Sequence, residues 1–180
     1  MIRNADHADL DFLIQIDLKD EGVTSTTETQ MTKDDLRLHR EKITKFVTER
    51  DRGAFIYEDR QSRKRIGMIM YSIINRDGEY PWKTIFHELD RSLFQEDGRF
   101  VKIFQLWVDP DYRRSGIATK LKQKLEEVAR ANDINLIYTH TEERNLHVVE
   151  LNKKLGYEEV RRGLIWDEII RISLIKHLKI

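Results

Sequence analysis

Hydrophobic residues along the chain alternate between two spacings, and the change of spacing separates helices from strands. Ile2–Ala5 is predicted to be a short edge strand. Apolar residues then recur every three or four positions, which predicts a helix capped by Asp6 or Asp9. The segment Glu21–Met31 is rich in Thr, Ser and Gly and is predicted to be a loop. A second helix is expected to begin at Thr32, because an aspartate three residues later completes a capping box.

The rest of the chain adds strands, two helices and one less regular insert. Residues 76–99 are predicted to form a loop with a short amphipathic helix. The other predicted elements are strands at Gly53–Glu58, Arg65–Asn75, Val101–Val108, Ile134–His140, Glu158–Arg162 and Glu168–His177, and helices at Thr119–Asn132 and Asn145–Leu155. This order predicts an α/β fold with a mixed, mostly antiparallel central sheet and helices on both faces. The stretch from Val101 to His140 is expected to be a right-handed β-α-β unit with parallel strands.

Composition narrows the classes of protein that this fold could represent. With 180 residues, the chain is predicted to be a single domain spanning residues 1–180. Basic and acidic side chains both number 32, so no nucleic-acid partner is expected. Because the chain has no cysteine, a disulfide framework, a thiolate metal site and a cysteine nucleophile are excluded. Neither a signal segment nor a stretch long enough to span a membrane is apparent, so we expect a cytoplasmic protein with no membrane partner.

The turn between the fourth predicted strand and the next helix carries the clearest candidate chemistry. It reads Arg113-Arg114-Ser115-Gly116-Ile117-Ala118. A helix N-terminus offers unpaired N–H groups and a partial positive charge, and a glycine lets a phosphate approach the backbone. The turn therefore predicts a diphosphate site, with an ordinary strand-to-helix turn as the alternative. It is not a Walker loop, because Gly116 is not followed by Lys-Ser/Thr.

The sequence around this turn resembles a known family signature. The run from Leu106 to Ala118, LWVDPDYRRSGIA, is similar to the signature of the GNAT acetyltransferases, in which a V-D-P-type turn leads into R/Q-x-x-G-x-G/A and a helix. Residues 145–157 read N-x-x-V-x-x-L-N-x-K-x-G-Y and resemble the second motif of that family. The two motifs occur in the family's order, separated by one helix and one strand.

The resemblance implies a cofactor and a place for it. Acetyl-CoA would lie in a V-shaped gap between the parallel strands ending at Val108 and His140, and an amine would attack the acetyl group directly. The backbone of Leu106 to Val108 would hold the pantetheine arm, and amides from Arg114 to Thr119 would hold the pyrophosphate. Asn145 would contact the pantetheine side. The implied cofactor-binding residues are Leu106, Trp107, Val108, Arg113, Arg114, Ser115, Gly116, Ile117, Ala118, Thr119, Asn145 and Asn152.

Two positions depart from the family pattern. Asn152 stands where many members carry a general-acid tyrosine, and an amide could only hydrogen-bond the cofactor sulfur. Lys102 stands where some members carry a glutamate base.

His140 precedes the T-x-x-x-N run, at a position where the ribosomal-protein N-terminal acetyltransferases of the family carry their base. We therefore expect His140 to be the catalytic base, titrating near neutrality. The alternatives are a hydrogen-bonded residue at a strand end, or a base role for Glu142 or Glu143.

The function implied by the resemblance is acetyl transfer from acetyl-CoA to a primary amine of a small molecule or peptide. The alternative is a catalytically weak CoA-binding regulatory or interaction module, which Lys102 and Asn152 keep open. No metal is expected, because the ligands nearest to His140 span a loop. Three aromatic residues of the insert, Trp82, Phe86 and Phe94, could line an acceptor pocket, contact a second subunit in a homodimer, or cover the end of the sheet.

Overall fold

The computed structural model describes residues 1–20 and 31–179. These residues pack into two compact units, each assembled from two stretches of chain. Unit 1 comprises Met1–Ser72 and Gln105–Leu121, and unit 2 comprises Ile73–Phe104 and Lys122–Ile180. The assignment of residues 1–180 to a single domain stays a prediction. The predicted loop at Glu21–Met31 falls on residues 21–30, which lie outside the described part of the chain.

The described residues form four α-helices and seven strands in the predicted order. The helices are α1 (Leu10–Asp20), α2 (Lys33–Thr48), α3 (Ile117–Ala131) and α4 (Leu146–Lys154). The strands are β1 (Ile2–Asn4), β2 (Arg52–Glu58), β3 (Arg65–Asn75), β4 (Arg99–Val108), β5 (Leu136–Glu142), β6 (Glu158–Gly163) and β7 (Arg171–His177). All seven belong to a mixed sheet in which β4 and β5 are the parallel pair, which confirms the predicted α/β fold.

Unit 1 is built on an antiparallel β-meander. β1 pairs with β2 at Ile2↔Tyr57, and β2 pairs with β3 along its whole length. The predicted capping box at Thr32 is present at the start of α2. Asp6, one of the two caps predicted for the first helix, forms a further capping box at the 3-10 turn that leads into α1. Capping side chains accept hydrogen bonds from backbone N–H groups that the first helical turn leaves unpaired.

A buried carboxylate holds the first strand to the start of the first helix. Asp9 is fully buried, and its oxygens accept hydrogen bonds from Arg3 (2.7 Å), from the Asp6 amide (2.8 Å) and from Arg65 (2.6 Å). Burial alone would raise the pKa of Asp9, but these hydrogen bonds outweigh it and hold the pKa well below its ordinary value. Because the charge is fully satisfied, Asp9 can remain ionised inside the unit.

Unit 2 contains the parallel pair and an aromatic core. β4 and β5 pair at Val101↔Ile137 and Lys102↔Tyr138, which confirms the parallel β-α-β crossover. β5 and β6 pair antiparallel with β7 on either side. β5 extends to Glu142, so His140 lies two residues before its end and not at its end as predicted.

The insert at residues 76–99 supplies part of that core. It carries two 3-10 turns of three residues each, Phe86–Glu88 and Arg91–Leu93, so the expected amphipathic helix is wrong. Phe86 and Phe94 are buried and pack edge-on against Phe100, with ring centroids 4.9 and 5.3 Å away. Buried aromatic pairs in this geometry stabilise a core beyond their buried area. The core therefore holds the insert without a regular helix.

Candidate functional site

The loop that precedes α3, called here the phosphate loop (residues 113–119), has an unusual backbone. Asp109 caps a short turn at Pro110–Tyr112, and the chain then passes through Arg114 at φ +66 and Gly116 at φ +82. The left-handed region is disfavoured for residues with a Cβ, and an arginine there indicates a backbone that its surroundings impose. Left-handed residues interspersed with ordinary ones turn successive N–H groups toward a common point, which is a geometry that binds anions.

Gly116 lies at the start of α3 with open space in front of it. Its carbonyl accepts the first helical hydrogen bond, from the Lys120 amide at 3.0 Å. A Cβ at this position would meet no atom within 4 Å, so the protein leaves this side of the loop free. The N–H groups of the first helical turn have no carbonyl partner within the helix. The phosphate loop therefore offers donors and room where the sequence predicts a diphosphate.

A second glycine sets how closely α3 approaches the strand beneath it. A Cβ on Gly67 of β3 would lie 2.8 Å from the Ile117 side chain and 3.3 Å from that of Leu121. Ile117 and Leu121 are buried, so the first turn of α3 rests directly on the backbone of β3. No pattern in the loop itself identifies Gly67. Only its place inside a strand, where glycine often marks a close approach, could have indicated it.

The predicted pantetheine strand, Leu106 to Val108, forms the last three residues of β4 and is half-buried in unit 1. The Trp107 ring packs edge-on against Phe12 of α1 at 5.5 Å. The turn after the strand is held by Asp109, which accepts a hydrogen bond from the Asp111 amide (2.9 Å) and pairs with Lys64 (3.1 Å). Unit 1 thus contains two of the predicted cofactor segments, residues 106–108 and 113–119.

Unit 2 contains a cleft around His140, called here the His140 pocket. It is lined by residues 82–86 of the insert, by Lys102 on β4, by Tyr138 and His140 on β5, and by the segment 165–166. Its cavity volume is about 10 Å³, which is room for about one water molecule. The His140 ring packs edge-on against Trp166 at 5.1 Å, and Trp166 Nε1 donates a hydrogen bond to the Lys83 carbonyl at 3.1 Å.

The environment of His140 differs from that expected of a neutral-pH base. Burial lowers the pKa of His140 to about 3, and the positive charges of Lys102 and Arg171 act in the same direction. Charging an imidazole there would desolvate it and bring it near two cations. The expected titration near neutrality is therefore wrong for this pocket: His140 is uncharged at pH 7, and its ring can accept a hydrogen bond but is a weak base.

Asn145 and Gly156 bound the helix that carries the second motif. Asn145 occupies the N-cap position of α4 without a side-chain capping bond, so its amide does not perform the role usual for asparagine there. At the other end Gly156 has φ +93, the Tyr157 amide donates to the Asn152 carbonyl, and the Gly156 amide donates to that of Lys153. These two bonds form a Schellman motif, in which the left-handed glycine ends the helix.

The Asn152 side chain makes a hydrogen bond that the sequence did not predict. It is 2% exposed, and its side-chain oxygen accepts a hydrogen bond from Lys122 of α3. Lys122 is 4% exposed and lies 4.4 Å from the centroid of the Tyr157 ring. Burial and, to a smaller extent, the nearby Lys176 lower the pKa of Lys122 to about 7, while Glu126 opposes the shift.

A signal for Lys122 exists in the sequence. Leu125 and Ala129 follow it at spacings of three and seven, so the lysine lies on the apolar stripe of α3. A charged residue on a buried helical face requires a polar partner, and Asn152 supplies one.

Metal ligation and membrane insertion are two further possibilities for the described residues. No group of three His, Asp or Glu side chains among them converges as a metal site would require. Over the same part of the chain, no helix is long and apolar enough to cross a bilayer.

Comparison with solved structures indicates proteins of the same fold. The chain is similar to Arabidopsis thaliana NAA60 in complex with acetyl-CoA (20% identity, 98% of this chain and 97% of that one, TM-score 0.71). It is similar to a ribosomal-protein-alanine N-acetyltransferase from Brucella melitensis (19% identity, 99% of each chain, TM-score 0.67). A variant of spermidine N-acetyltransferase from Vibrio cholerae is also similar (16% identity, 98% of this chain and 94% of that one, TM-score 0.66).

Sequence comparison assigns the family. Comparison with curated protein sequences gave no significant match. The family model described as the acetyltransferase (GNAT) family matches residues 16–157, a span that includes the phosphate loop, His140 and the second motif. The chain therefore belongs to the acetyltransferase (GNAT) family, the acetyl-CoA-dependent N-acetyltransferases that its two motifs resemble.

Proposed function

We propose that the protein transfers an acetyl group from acetyl-CoA directly to a primary amine of a small molecule or peptide. The observation that carries the proposal is the phosphate loop, in which Arg114 and Gly116 take left-handed conformations at the start of α3 and leave open space before the helix. Membership of the GNAT family supports this reading, as does the acetyl-CoA in the structure of the similar NAA60.

The cofactor would be held chiefly by backbone groups. The N–H groups of Gly116 to Thr119 would donate to the pyrophosphate of CoA, and Arg113 and Arg114, both exposed, would add positive charge. The backbone of Leu106 to Val108 would hold the pantetheine arm, with Asn145 as a further contact. Asn152 is a weaker candidate for the sulfur than the sequence suggested, because its side-chain oxygen already accepts from Lys122.

The transfer itself needs a neutral amine. Its nitrogen attacks the thioester carbonyl carbon, and the tetrahedral intermediate loses a proton from that nitrogen to water. The intermediate then collapses to the amide, and the carbon–sulfur bond breaks to release CoA as a thiolate. A thiol with a pKa of about 8.5 is a fair leaving group without a protein acid. The ammonium proton is lost to water before attack. Uncharged His140 would accept a hydrogen bond from the amine and orient it, a role that its low pKa permits.

A second candidate function has one observation in its favour. Lys102 and the buried, hydrogen-bonded Asn152 occupy the positions at which relatives carry a base and an acid, which suits a CoA-binding module with weak catalysis. Thermal unfolding with and without CoA, combined with thiol release from acetyl-CoA on addition of mixed amines, separates the candidates. The enzyme should show both a CoA-dependent rise in Tm and thiol release, whereas the binding module should show only the first. The absence of both the rise in Tm and the thiol release would contradict both candidates.

A further inference from the structure

Among the described residues, strand β6 lies at one edge of the sheet and pairs only with β7. An edge strand presents unpaired N–H and C=O groups that another chain can pair with. We propose that β6 pairs antiparallel with the β6 of a second copy of the chain, which gives a twofold symmetric dimer. Twofold dimers use the same surface patch on both copies, and an antiparallel pair of identical strands has this symmetry. Such an assembly does not depend on acetyl transfer.

The charges of β6 are arranged so that the strand complements a reversed copy of itself. It reads EEVRRG from Glu158 to Gly163, with the acidic residues first and the basic residues after them. In an antiparallel pair, the acidic half of each strand lies opposite the basic half of the other, and opposite charges across strands stabilise the pair. A parallel pair would set like charges against one another. The order of charges therefore favours a second copy as the partner, in one orientation.

A β-bulge brings one acidic and one basic residue of β6 onto the same face. Val160 is the extra residue, since the pairing with β7 shifts between Glu159 and Arg161. Glu159 and Arg162 consequently form an ion pair at 2.5 Å within the strand. A twofold axis through the bulge would place Glu159 of each copy opposite Arg162 of the other. The two ion pairs would then join into a ring of four alternating charges.

The side chains of Glu159 and Arg162 have hydrogen-bonding capacity left for a partner. They are 33% and 45% exposed. One terminal nitrogen of Arg162 donates to Glu143 at 2.9 Å, and the other donates to Oε1 of Glu159. A guanidinium has five N–H donors and a carboxylate accepts on both oxygens, so both groups can bind further partners. They can therefore bind across the interface while they keep their bonds within the subunit.

The two edges of the sheet differ in how they resist pairing. β1 is only three residues long, and a short edge strand offers little to pair with. β6 is twice as long, and its charges repel most strands but not a reversed copy of itself. Leu164, directly after β6, is 52% exposed. In the antiparallel pair it would lie beside the start of the partner strand, which would cover part of its apolar surface.

Charge reversal at the two paired positions tests the proposal. Sedimentation velocity over a wide range of concentration should show the 21.6 kDa chain associating to twice that mass. Glu159→Arg makes both positions basic and Arg162→Glu makes both acidic, so each variant should raise the dissociation constant of the dimer at least about tenfold. Mixed in equal amounts, the two variants should form a heterodimer about as tight as the wild-type dimer, because each supplies the charge that the other lacks.

An exposed ion pair on α2, Arg37 with Glu41 at 2.8 Å, supplies the matched control. Arg37→Glu and Glu41→Arg should leave the dissociation constant unchanged, alone or mixed. Thermal unfolding verifies that each variant is folded. A wild type that stays monomeric at every concentration would overturn the proposal, as would a dimer that neither reversal in β6 weakens or two reversed variants that do not associate when mixed.

Hydrogen exchange on the wild type locates the contact without any variant. Amides of β6 should exchange more slowly as the protein concentration rises through the dissociation constant, because those on the outer edge gain carbonyl partners. Amides of β1, at the opposite edge of the sheet, should exchange at an unchanged rate. Concentration-dependent protection of another surface, with none at β6, would mean that the dimer forms elsewhere and would overturn the assignment.

Discussion

The phosphate loop of unit 1 and the His140 pocket of unit 2 are built in opposite ways. The loop is one continuous stretch, residues 113–119, and its chemistry lies in backbone N–H groups set by two left-handed residues. The pocket draws side chains from four separate segments of chain. A loop of the first kind can be identified in sequence because its parts are adjacent, whereas a pocket of the second kind exists only after folding.

The two regions also differ in how charge acts. Arg113 and Arg114 are exposed, so water and salt screen their attraction for a phosphate, and the backbone geometry must supply the specificity. Around His140, burial is the main cause of a pKa lowered to about 3, and the nearby cations Lys102 and Arg171 lower it as well. The residue type therefore predicts charge well at the surface and poorly in the pocket.

Replacing Gly116 is expected to have the largest effect. Gly116→Val places a β-branched residue at φ +82 and fills the space before the helix, so CoA affinity should fall at least about 100-fold and the CoA-dependent rise in Tm should disappear. Thermal unfolding with a CoA titration measures both effects. Gly98→Val, also at a left-handed φ (+77), is the control: it should lower Tm but keep the CoA-dependent shift. A full shift in Gly116→Val would remove the phosphate loop from cofactor binding.

Removing the His140 ring should have the next largest effect and tests the pocket. His140→Ala should lower kcat about tenfold through loss of the pocket wall and of a hydrogen-bond acceptor. Since the pKa of His140 is about 3, the ring stays uncharged between pH 5.5 and 8, and the shape of the kcat/KM profile over that range should be the same in both proteins. His147→Ala, on the exposed face of α4, is the control and should change neither quantity. If kcat/KM of the wild type instead rises with pH near 6.5 and this rise is absent from His140→Ala, His140 would be a titrating base after all.

Gly67 allows a smaller, graded perturbation of the loop. In Gly67→Ala the added methyl would push against Ile117, so the first turn of α3 should shift away from β3. We expect a loss of roughly 1–3 kcal/mol in the free energy of unfolding and a few-fold weaker CoA affinity. Denaturant unfolding and calorimetry measure the two. An affinity unchanged despite the destabilisation would mean that the phosphate loop keeps its geometry independently of the helix position.

At Lys122 the expected effect appears as a pH dependence of stability. The folded pKa of about 7 is below the ordinary 10.5, so between these values the unfolded chain binds a proton that the folded chain does not. Stability should therefore rise with pH across this window, by up to about 1.4 kcal/mol per pH unit, and fall to its lower level by pH 7. Lys122→Met should lack this rise.

Urea unfolding at pH 7, 8 and 9 on wild type, Lys122→Met and Lys153→Met checks the expectation. The exposed Lys153 variant should follow the wild-type slope. If Lys122→Met follows it too, Lys122 is charged throughout the range and the buried contact with Asn152 does not perturb its titration.

Much of the fold was predictable because its signals are local. The two capping boxes, the strand β3 and the glycine that ends α4 follow from residues a few positions apart. The insert was not predictable in the same way: Phe86 and Phe94 have a spacing that suits a helix, but their burial against Phe100 fixes the chain as short turns. Where packing against a distant residue outweighs local preference, the local pattern is insufficient.

The sequence by itself determined the order of the elements and the family, and it predicted the phosphate loop, because each of these rests on residues that are neighbours in the chain. Only the tertiary structure decided the state of three side chains. Asn152 accepts from a buried Lys122 thirty residues away, Lys122 has a pKa near neutrality, and His140 has a pKa far below it. The physical reason is that hydrogen-bond partners and pKa values depend on burial and on charges that approach through space, and residues distant in the chain supply both.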